Sequence, residues 1–505
     1  MKDFIDDEHD GIEESWRQQY GRTLKFYRFF SSAVLFTTDP KAIHHFLSNT
    51  HIYQKSEATQ FSLGQIVGPG IIVVEGDVHK QQRKIMDPAF GALQVKNLTE
   101  IFVDKSIQLR DIWAAQAAKS NNGVARVEAL SWLSKVTLDI IGLAGFNYNI
   151  DALGAEEGAA PNELAEAFEA IFATETGPGF SLARFLQLRF PILRNIPLKR
   201  DNNKKKRDKT IVEAQATMMR IGRRLLADTK REIAETGFET NTGTASGRAR
   251  DLLTLLVRAN TSKDLPATQR LSDEDVIAQV PTFLVAGHES PSTALTWTLF
   301  ALAQNTTAQA RLRDELFGVP TDRPSMDELN ELPYLDSVVR ETLRLYPPVR
   351  ETTRIALTND VVPLGTPVTD TNGMVHESLH VRKGEPIIIS IIAMNCDEEI
   401  WGPDAMQFRP ERWDAPPPGA SAIPGVWGHM LTFLGGPRSC IGFRFALVEM
   451  KALIFTLVRS FEFELAVPIA EMGQKGTALV QRRPIVLTER AAGNQLPLLV
   501  RPVAR

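Results

Sequence analysis

The segment Phe433-Leu434-Gly435-Gly436-Pro437-Arg438-Ser439-Cys440-Ile441-Gly442 is the most informative part of this chain of 505 residues. It is rich in glycine, and the apolar stretch that follows, Phe443 to Ser460, contains neither glycine nor proline. The pattern predicts a loop that delivers Cys440 to the start of a helix. Free N–H groups and the helix dipole favour an anion there, so we expect a lowered thiol pKa and a thiolate.

The residues around Cys440 suit a flat ligand that carries carboxylates. Gly435, Gly436 and Gly442 let the backbone approach such a ligand closely. Arg438 offers a fork of donors to a carboxylate. Together with a thiolate, these features suit a haem with an axial cysteine. Two alternatives are a buried cysteine in a glycine-rich turn and a nucleophilic cysteine, although no histidine lies within ten residues to activate the second.

The same segment resembles the haem-binding loop of the cytochrome P450 family, whose pattern is Phe-x-x-Gly-x-Arg-x-Cys-x-Gly. All five fixed positions of that pattern are present between Phe433 and Gly442. The resemblance implies a mainly α fold with a long central helix and a small β portion. It also implies a haem b cofactor whose iron is bound by Cys440, with Phe433, Arg438 and Gly442 as cofactor-binding neighbours.

A long apolar stretch begins after Ser272 and continues to about Ala303. It opens with a serine and three acidic residues, which is typical of a capped helix start. A helix of this extent is roughly 45 Å long at 1.5 Å per residue, so it should cross the whole molecule. Pro281 and Pro291 cannot donate backbone hydrogen bonds, and we expect the helix to kink or open at them.

The middle of this central helix places an acid beside a hydroxyl, at Glu289 and Ser290. The surrounding residues, Ala286 to Pro291, resemble the family's oxygen-activation motif. Two positions differ: Ser290 stands where the family usually has threonine, and Pro291 stands where it usually has threonine or serine. The resemblance implies that Glu289 and Ser290 are catalytic and deliver protons through water. The alternative is a transition from a buried face of the helix to a solvated one.

A further helix is predicted between Pro333 and Pro347, and it carries Glu341 and Arg344 three residues apart on one face. On its own this is a surface pair. The sequence around it resembles the family's Glu-x-x-Arg helix, which implies a buried structural triad of Glu341 and Arg344 with Arg412.

Three residues outside the cysteine loop match family positions that hold the carboxylates of the haem. His79 and Arg83 are four residues apart on a predicted helix and can face one ligand. His79 stands where the family usually has tryptophan. Arg354 matches a second arginine of the family that binds the same carboxylates.

Composition and patterning favour one helical domain over residues 1–505. The formal net charge of −4 and pI of about 6.2 argue against a nucleic-acid partner. With only Cys396 and Cys440, a disulfide framework is excluded and a reducing compartment is expected. Residues 1–32 are predicted to be an N-terminal segment without a membrane anchor; the anchor is either truly absent or lost from this version of the sequence. Residues 236–249 are predicted to be a flexible surface loop. No apolar run long enough to span a bilayer is expected.

Periodicity predicts individual elements. Strands are expected at Ala33–Thr38, Gly70–Val74, Pro386–Ile392 and Phe461–Ala466, and helices at Pro40–Leu47, Val95–Ala118, Val127–Ile141 and Asn162–Ala173.

The resemblance implies a haem-thiolate monooxygenase that hydroxylates a lipophilic small molecule, such as a terpenoid, steroid, fatty acid or xenobiotic. The alternatives are a haem-thiolate isomerase or dehydratase, and a haem sensor without catalysis. Electrons would come from a diflavin NADPH-cytochrome reductase, since the chain encodes no flavin or nicotinamide domain, and O2 would be the co-substrate. The expected substrate pocket is apolar except for Arg350, and it comprises Phe283, Leu284, Val349, Thr352, Leu479 and residues near Ile66–Ile71.

A basic and apolar region predicts peripheral contact with a membrane. Residues 179–197 mix phenylalanine and leucine with arginine, and a run of lysine and arginine from Lys199 to Lys209 follows. The alternative is a solvated basic loop over an ordinary core helix. If the patch binds lipid, the resemblance implies a location on the cytoplasmic side of the endoplasmic reticulum membrane, and otherwise in the cytoplasm.

Overall fold

The protein is described from a computed structural model, which covers residues 12–28, 32–154, 162–167, 202–236, 251–261, 266, 269–476 and 481–503. Helices dominate these residues, as predicted. They are α1 (Ile12–Tyr20), α2 (Pro40–Ser48), α3 (Glu57–Val67), α4 (Gly76–Met86), α5 (Ala92–Lys119), α6 (Ala129–Phe146), α7 (Asn202–Thr236), α8 (Leu252–Thr261), α9 (Asp273–Gln304), α10 (Thr306–Phe317), α11 (Met326–Asn330), α12 (Pro333–Leu345), α13 (Ile391–Asn395), α14 (Glu398–Trp401) and α15 (Phe443–Ser460).

The strands form a small β portion at the side of the helices. They are β1 (Thr23–Arg28), β2 (Ser32–Thr37), β3 (Tyr53–Gln54), β4 (Ala125–Glu128), β5 (Glu351–Ala356), β6 (Asp360–Thr369), β7 (Val375–Val381), β8 (Pro386–Ser390), β9 (Phe461–Leu465), β10 (Met472–Gly476), β11 (Arg482–Val486) and β12 (Pro497–Pro502).

The strands pair into four groups. A five-stranded sheet has the order β1-β2-β8-β5-β3, in which β2 and β8 are parallel and the other neighbours antiparallel. A three-stranded antiparallel sheet has the order β4-β12-β9, and β6–β7 and β10–β11 are antiparallel pairs. The largest sheet therefore joins N-terminal strands to strands from the second half of the chain.

The core is centred on the central helix α9. It packs against α6, α7, α15 and β9, and most of its side chains are buried. Its N-terminus carries the predicted capping box between Ser272 and Asp275. Pro281 and Pro291 lie inside it, and the helix continues without a break through both, so the opening expected there is not seen at the level of secondary structure.

One element prediction is wrong and several need adjusted ends. Gly70–Val74 is a turn rather than a strand, because Gly70 packs against the Thr282 side chain of α9 with no room for a Cβ. The helix expected from Val127 begins only at Ala129, since the preceding residues pair with β12 as strand β4. Of the helix expected over Asn162–Ala173, the structure describes residues 163–167 as helical. Of the loop expected at 236–249, only residue 236 is among the described residues.

One helix among the described residues, Ala129–Phe146, is long and apolar enough to cross a membrane by length and composition alone. The sequence had not been expected to contain such a stretch. Because 72% of that helix is buried inside the protein, and core helices pass the same test, this is weak evidence for a membrane span.

Candidate active site

The predicted cofactor loop and the central helix enclose a cavity of about 280 Å³. Cys440 and Phe433 line it from the loop, and Phe283 and Ser290 line it from α9. Most of the remaining wall is apolar, while one end is lined by basic side chains. The structure thus brings residues that are far apart in sequence to opposite sides of one cavity.

Cys440 precedes the N-terminus of α15, as predicted. Its backbone N–H donates to the Phe433 carbonyl oxygen at 2.8 Å, which closes the loop. Its side chain opens onto the cavity, whereas Cys396 is buried and does not line it. Burial raises the pKa of the Cys440 thiol, and the backbone N–H of Gly442 and the charge of Arg83 lower it only in part. The expectation of a lowered pKa from the helix start alone is therefore wrong; a bound metal ion would deprotonate a coordinating thiol outright.

The glycines of the loop meet other parts of the protein backbone. Gly435 lies against the Pro424 carbonyl, and Gly436, which has φ of +69°, lies against the Leu47 carbonyl. Neither leaves room for a Cβ. We expected these glycines to let the backbone approach the ligand closely. Packing of the loop against Pro424 and Leu47 is a separate reason for glycine at both positions.

Three arginines and a lysine collect at the basic end of the cavity. Arg83 donates to the Ser439 carbonyl at 2.6 Å and pairs with Asp87 at 2.5 Å. Arg354 donates to the Thr352 hydroxyl at 2.6 Å, and burial lowers its pKa to about 10. Arg438 pairs with Glu75 and donates to the Val74 carbonyl at 2.6 Å.

Lys55, which sequence analysis missed, shares Glu75 with Arg438, at 3.3 Å from the carboxylate. Burial, with Arg354 as the next cause, lowers the pKa of Lys55 to about 7. His79 lines the same end, and burial and then Arg438 lower its pKa to about 3, so it is neutral. The only sequence signal for Lys55 is a basic residue next to a helix start, which is common on surfaces.

The charges and donors of the cavity fit a haem. Among the described residues, the carboxylates that pair with Lys55, Arg83 and Arg438 are those of Glu75 and Asp87. With Arg354 and a protonated Lys55, this leaves two positive charges over. A haem carries two propionates, which match that surplus. Cys440 on the cavity wall supplies the soft sulfur ligand that haem iron accepts.

The central helix presents one half of its circumference to the cavity. Thr282, Phe283, Ala286, Gly287, Ser290 and Pro291 line it. With about 100° between successive residues, these six positions share one face. Leu284 and Glu289 lie just beyond the two edges of that face, and neither lines the cavity. The structure does not bring Leu284, a predicted substrate contact, to the cavity; its side chain is fully buried in the core.

Glu289 and Ser290 have different surroundings. Glu289 is buried and pairs with Arg483 of β11 at 2.6 Å, and its other oxygen is 3.4 Å from His288 Nδ1. The Ser290 hydroxyl lines the cavity and donates to the Ala286 carbonyl at 2.7 Å. In this structure, therefore, the acid faces an arginine and only the hydroxyl reaches the cavity.

Gly287 is required by helix packing. A Cβ there would lie 2.7 Å from Ile141 Cδ1 of α6. Pro291, one turn later, has no N–H to donate to the Gly287 carbonyl. Both residues line the cavity.

The predicted structural triad assembles away from the cavity. Glu341 accepts two hydrogen bonds from Arg344, at 2.8 and 3.0 Å, and lies 3.4 Å from Arg412 Nε. It also accepts from Trp413 Nε1 at 3.0 Å. The three charged side chains are at most 1% exposed, so the surface-pair alternative does not apply.

The predicted substrate pocket is only partly reproduced. Phe283, Thr352 and Ile71 line the cavity, whereas Val349 is 37% exposed and Ile66 and Arg350 do not line it. Leu479 lies outside the described residues. Sequence analysis missed several apolar wall residues, since they lie outside the quoted motifs: Phe90, Ile141, Leu252, Phe445 and Ala446.

The segment 67–75, here called the strap, connects the two sides of the cavity. On the side of α9, the Ile71 N–H donates to Gln279 Oε1 and the Thr282 hydroxyl donates to the Val67 carbonyl, both at 2.9 Å. On the other side, Arg438 of the cysteine loop donates to the Val74 carbonyl. Between these attachments, Ile71 and Ile72 face the cavity.

A helical fold with a single cysteine facing a cationic, apolar-walled cavity defines a haem-thiolate protein. Comparison with known proteins agrees. The Cytochrome P450 family profile matches residues 9–487. The chain is 48% identical over 505 residues to cytochrome P450 monooxygenase 205 of Postia placenta, covering 99% of this chain and 90% of that protein.

Other relatives extend the same relationship. Cytochrome P450 monooxygenase 128 of Postia placenta is also 48% identical, over 100% of this chain and 90% of that protein. Cytochrome P450 monooxygenase claQ of Ampulloclitocybe clavipes is 35% identical over 98% of this chain and 89% of that protein. The chain belongs to the cytochrome P450 family. It is an oxygen-incorporating oxidoreductase of that family, which uses a haem with an axial cysteine thiolate and electrons from redox partner proteins.

Proposed function

We propose that this monooxygenase hydroxylates an uncharged, lipophilic small molecule, with electrons from a diflavin NADPH-cytochrome reductase. The observation that carries the substrate class is the distribution of charge in the cavity. Its basic side chains are confined to the end where the haem carboxylates fit, and the wall between α6, α8 and α9 is apolar. A charged substrate would lose its hydration there without gaining a partner.

In this proposal, Cys440 binds the haem iron and Arg83, Arg354 and Arg438 orient the haem carboxylates. The bound haem supplies the activation of O2 and the attack on a C–H bond. Phe90 and Phe283, whose ring centroids are 5.4 Å apart, hold an apolar substrate and exclude water. The Ser290 hydroxyl would pass protons at the cavity wall. The Glu289 carboxylate, after turning away from Arg483, would take up a proton from solvent water and hand it on to Ser290 through water.

The assignment of Cys440 is tested by spectroscopy. Purified protein, reduced under carbon monoxide, is expected to show the red-shifted Soret band of a thiolate adduct. Cys440→Ala is expected to lose that band, and Cys396→Ala, a buried cysteine outside the cavity, to keep it. If Cys440→Ala retains the band, another residue binds the iron. Product analysis by mass spectrometry, with reductase and a library of neutral and charged lipophilic compounds, then tests the substrate class.

The role of Ser290 is tested by its removal. Ser290→Ala is expected to bind haem and substrate but to release more of the consumed oxygen as peroxide, because loss of a proton-transfer group typically costs about 10²–10⁴-fold in that step. Ser290→Thr is the matched variant that keeps the hydroxyl. An unchanged yield of product per NADPH in Ser290→Ala would show that water reaches the site without this hydroxyl.

We also propose peripheral binding to the cytoplasmic face of the endoplasmic reticulum membrane, through the basic and apolar region between residues 179 and 209. Lys204, Lys205 and Lys206 belong to the first turns of α7, while residues 179–197 lie outside the described residues. Each basic residue near an anionic surface adds about 1 kcal/mol. The protein is expected to float with anionic liposomes at low salt, and much less after these three lysines are changed to glutamate. Equal flotation of both would contradict the electrostatic part of the proposal.

A further inference from the structure

Lys55 follows strand β3 and lines the cavity together with Arg354 and Arg438. Its ammonium group is 3.3 Å from Glu75 Oε1, and its side chain is only 14% exposed. Glu75 is also the partner of Arg438, so one carboxylate is shared between two buried cations. Lys55 is therefore a largely buried amine that shares its only identified carboxylate partner, Glu75, with Arg438.

We propose that Lys55 is a further ligand for the haem carboxylates, and that it becomes fully charged when the haem binds. The inference rests on the haem that this family uses, and it adds a residue to the arginines already placed at that end of the cavity. It predicts a dependence of haem binding on pH that the arginines alone do not produce.

The first support is the balance of charge. With Lys55 protonated, the basic end of the cavity holds two positive charges more than Glu75 and Asp87 neutralise. With Lys55 neutral, the surplus falls to one charge, which leaves one haem carboxylate without a full counter-charge. A buried carboxylate without a partner is strongly disfavoured, so the haem and the protonated form of Lys55 stabilise each other.

The second support is the set of groups that face Lys55. Arg354 on β5 and Arg438 on the cysteine loop disfavour its charged form, Glu75 favours it, and burial is the largest cause of the lowered pKa of about 7. His79 and Arg83 on α4 complete the surroundings; His79, with a pKa of about 3, stays neutral, and the pKa of Arg354 is about 10. Lys55, with a pKa of about 7, therefore loses its charge as the pH rises above 7 in the protein without haem.

The sign of the effect follows from linkage. Above pH 7, Lys55 is increasingly neutral in the protein without haem, and the two haem carboxylates raise its pKa. Haem binding then takes up one proton, so haem affinity falls as the pH rises, by up to about tenfold per pH unit in that window. Below pH 7, Lys55 is protonated with or without haem, so it still contributes to haem affinity but no longer makes that affinity depend on pH.

The test measures how haem partitions at equilibrium between the holoenzyme and apomyoglobin, from pH 6 to pH 9. Four proteins are compared: wild type, Lys55→Met, Lys55→Arg and Lys105→Met. Lys105 is the matched control, because it is also 3.3 Å from a buried carboxylate, that of Asp139, and 11% exposed, but does not line the cavity. Ratios between variants cancel the pH dependence of apomyoglobin itself.

The wild type and Lys105→Met are expected to lose haem affinity above pH 7. Lys55→Arg should bind haem with little dependence on pH up to pH 9, because arginine keeps its charge. Lys55→Met is expected to bind haem about tenfold or more weakly at pH 6.5 and to lose the slope. Thermal unfolding of the proteins checks that each variant is folded.

Two results would overturn the proposal: haem affinity of Lys55→Met equal to that of the wild type at pH 6.5, or the same slope above pH 7 in Lys55→Met. A wild-type protein that holds no haem at all would instead contradict the cofactor assignment, so the two failures are distinguishable.

Discussion

This protein contains two buried groups of charged side chains, the Glu341 triad and the basic end of the cavity, and they differ in how well their charges are matched. In the triad, Glu341 has donors on both oxygens from Arg344, Arg412 and Trp413, and its charged side chains are sealed from solvent. Arg412 also pairs with Asp404 at 2.8 Å, so the two arginines face two carboxylates. At the basic end of the cavity, Glu75 is shared by Lys55 and Arg438, and the cations outnumber the carboxylates. The triad is complete within the protein, whereas the cavity group is complete only with an added anion. A surplus of buried charge therefore marks a binding site, and a balanced network marks a structural one.

The largest effect is expected from breaking the balanced group. Arg344→Ala leaves the buried carboxylate of Glu341 without its main partner, which costs about 3–5 kcal/mol. We expect insoluble or haem-free protein. Soluble yield and the Soret absorbance of the expressed protein measure this, and Arg340→Ala, from a partly exposed pair on the same helix, is the control. Soluble, haem-loaded and active Arg344→Ala would contradict a structural role for the triad.

Removing a charge from the basic end of the cavity is expected to change stability less than breaking the triad, but to lower haem occupancy clearly. Arg354→Met removes a buried cation that already costs free energy to keep charged, as its lowered pKa shows. The protein should stay folded while haem occupancy falls about tenfold or more, from loss of a charge-assisted hydrogen bond. Circular dichroism and the haem-to-protein ratio separate the two outcomes. Loss of folded protein would place Arg354 with the structural residues instead.

The smallest effect is expected at a buried carboxyl that belongs to neither group. Glu449 of α15 is fully buried, and among the described residues neither of its oxygens has a hydrogen-bond partner. Burial raises its pKa well above the ordinary value of 4.5. Above pH 4.5 the unfolded chain ionises and the folded protein does not, so the wild type loses stability as the pH rises toward the folded-state pKa.

Glu449→Gln removes this penalty. We expect a variant that is more stable than the wild type by about 1 kcal/mol or more at pH 7, with the difference vanishing near pH 4. Thermal unfolding at both pH values measures it, and Glu464→Gln on the exposed side of β9 is the control. A variant less stable than the wild type at pH 7 would indicate a partner for the ionised carboxylate.

The sequence was sufficient wherever a local pattern fixes the structure. The cysteine loop, the capped start of the central helix and the helix from Phe443 were all predicted within a residue or two, because glycine, proline and apolar periodicity act on near neighbours. The cytochrome P450 fold was confirmed by the family match. The roles of the site residues remain predictions, although the structure brings most of them to one cavity or, for the triad, together.

What the sequence did not indicate depends on rotation and on distant contacts. A shift of one residue, about 100° around a helix, decides that Ser290 and not Glu289 lines the cavity. Lys55 is important only because folding places it beside Glu75 and Arg438, and its local sequence carries no sign of this. Gly70–Val74 has the composition of a strand, but its packing against α9 makes it a turn.

The strap across the cavity has a consequence for engineering the range of substrates. The strap is held at Gln279 and Thr282 on one side and at Arg438 on the other by three hydrogen bonds, each worth about 0.5–1.5 kcal/mol. Moving the strap outward breaks these bonds and also strains the pairs of Glu75 with Arg438 and Lys55. Shortening Ile71 or Ile72, which point into the cavity from the strap, creates space and leaves those bonds intact. Variants that accept larger molecules should therefore arise more readily from these two isoleucines than from changes in the polar residues that hold the strap.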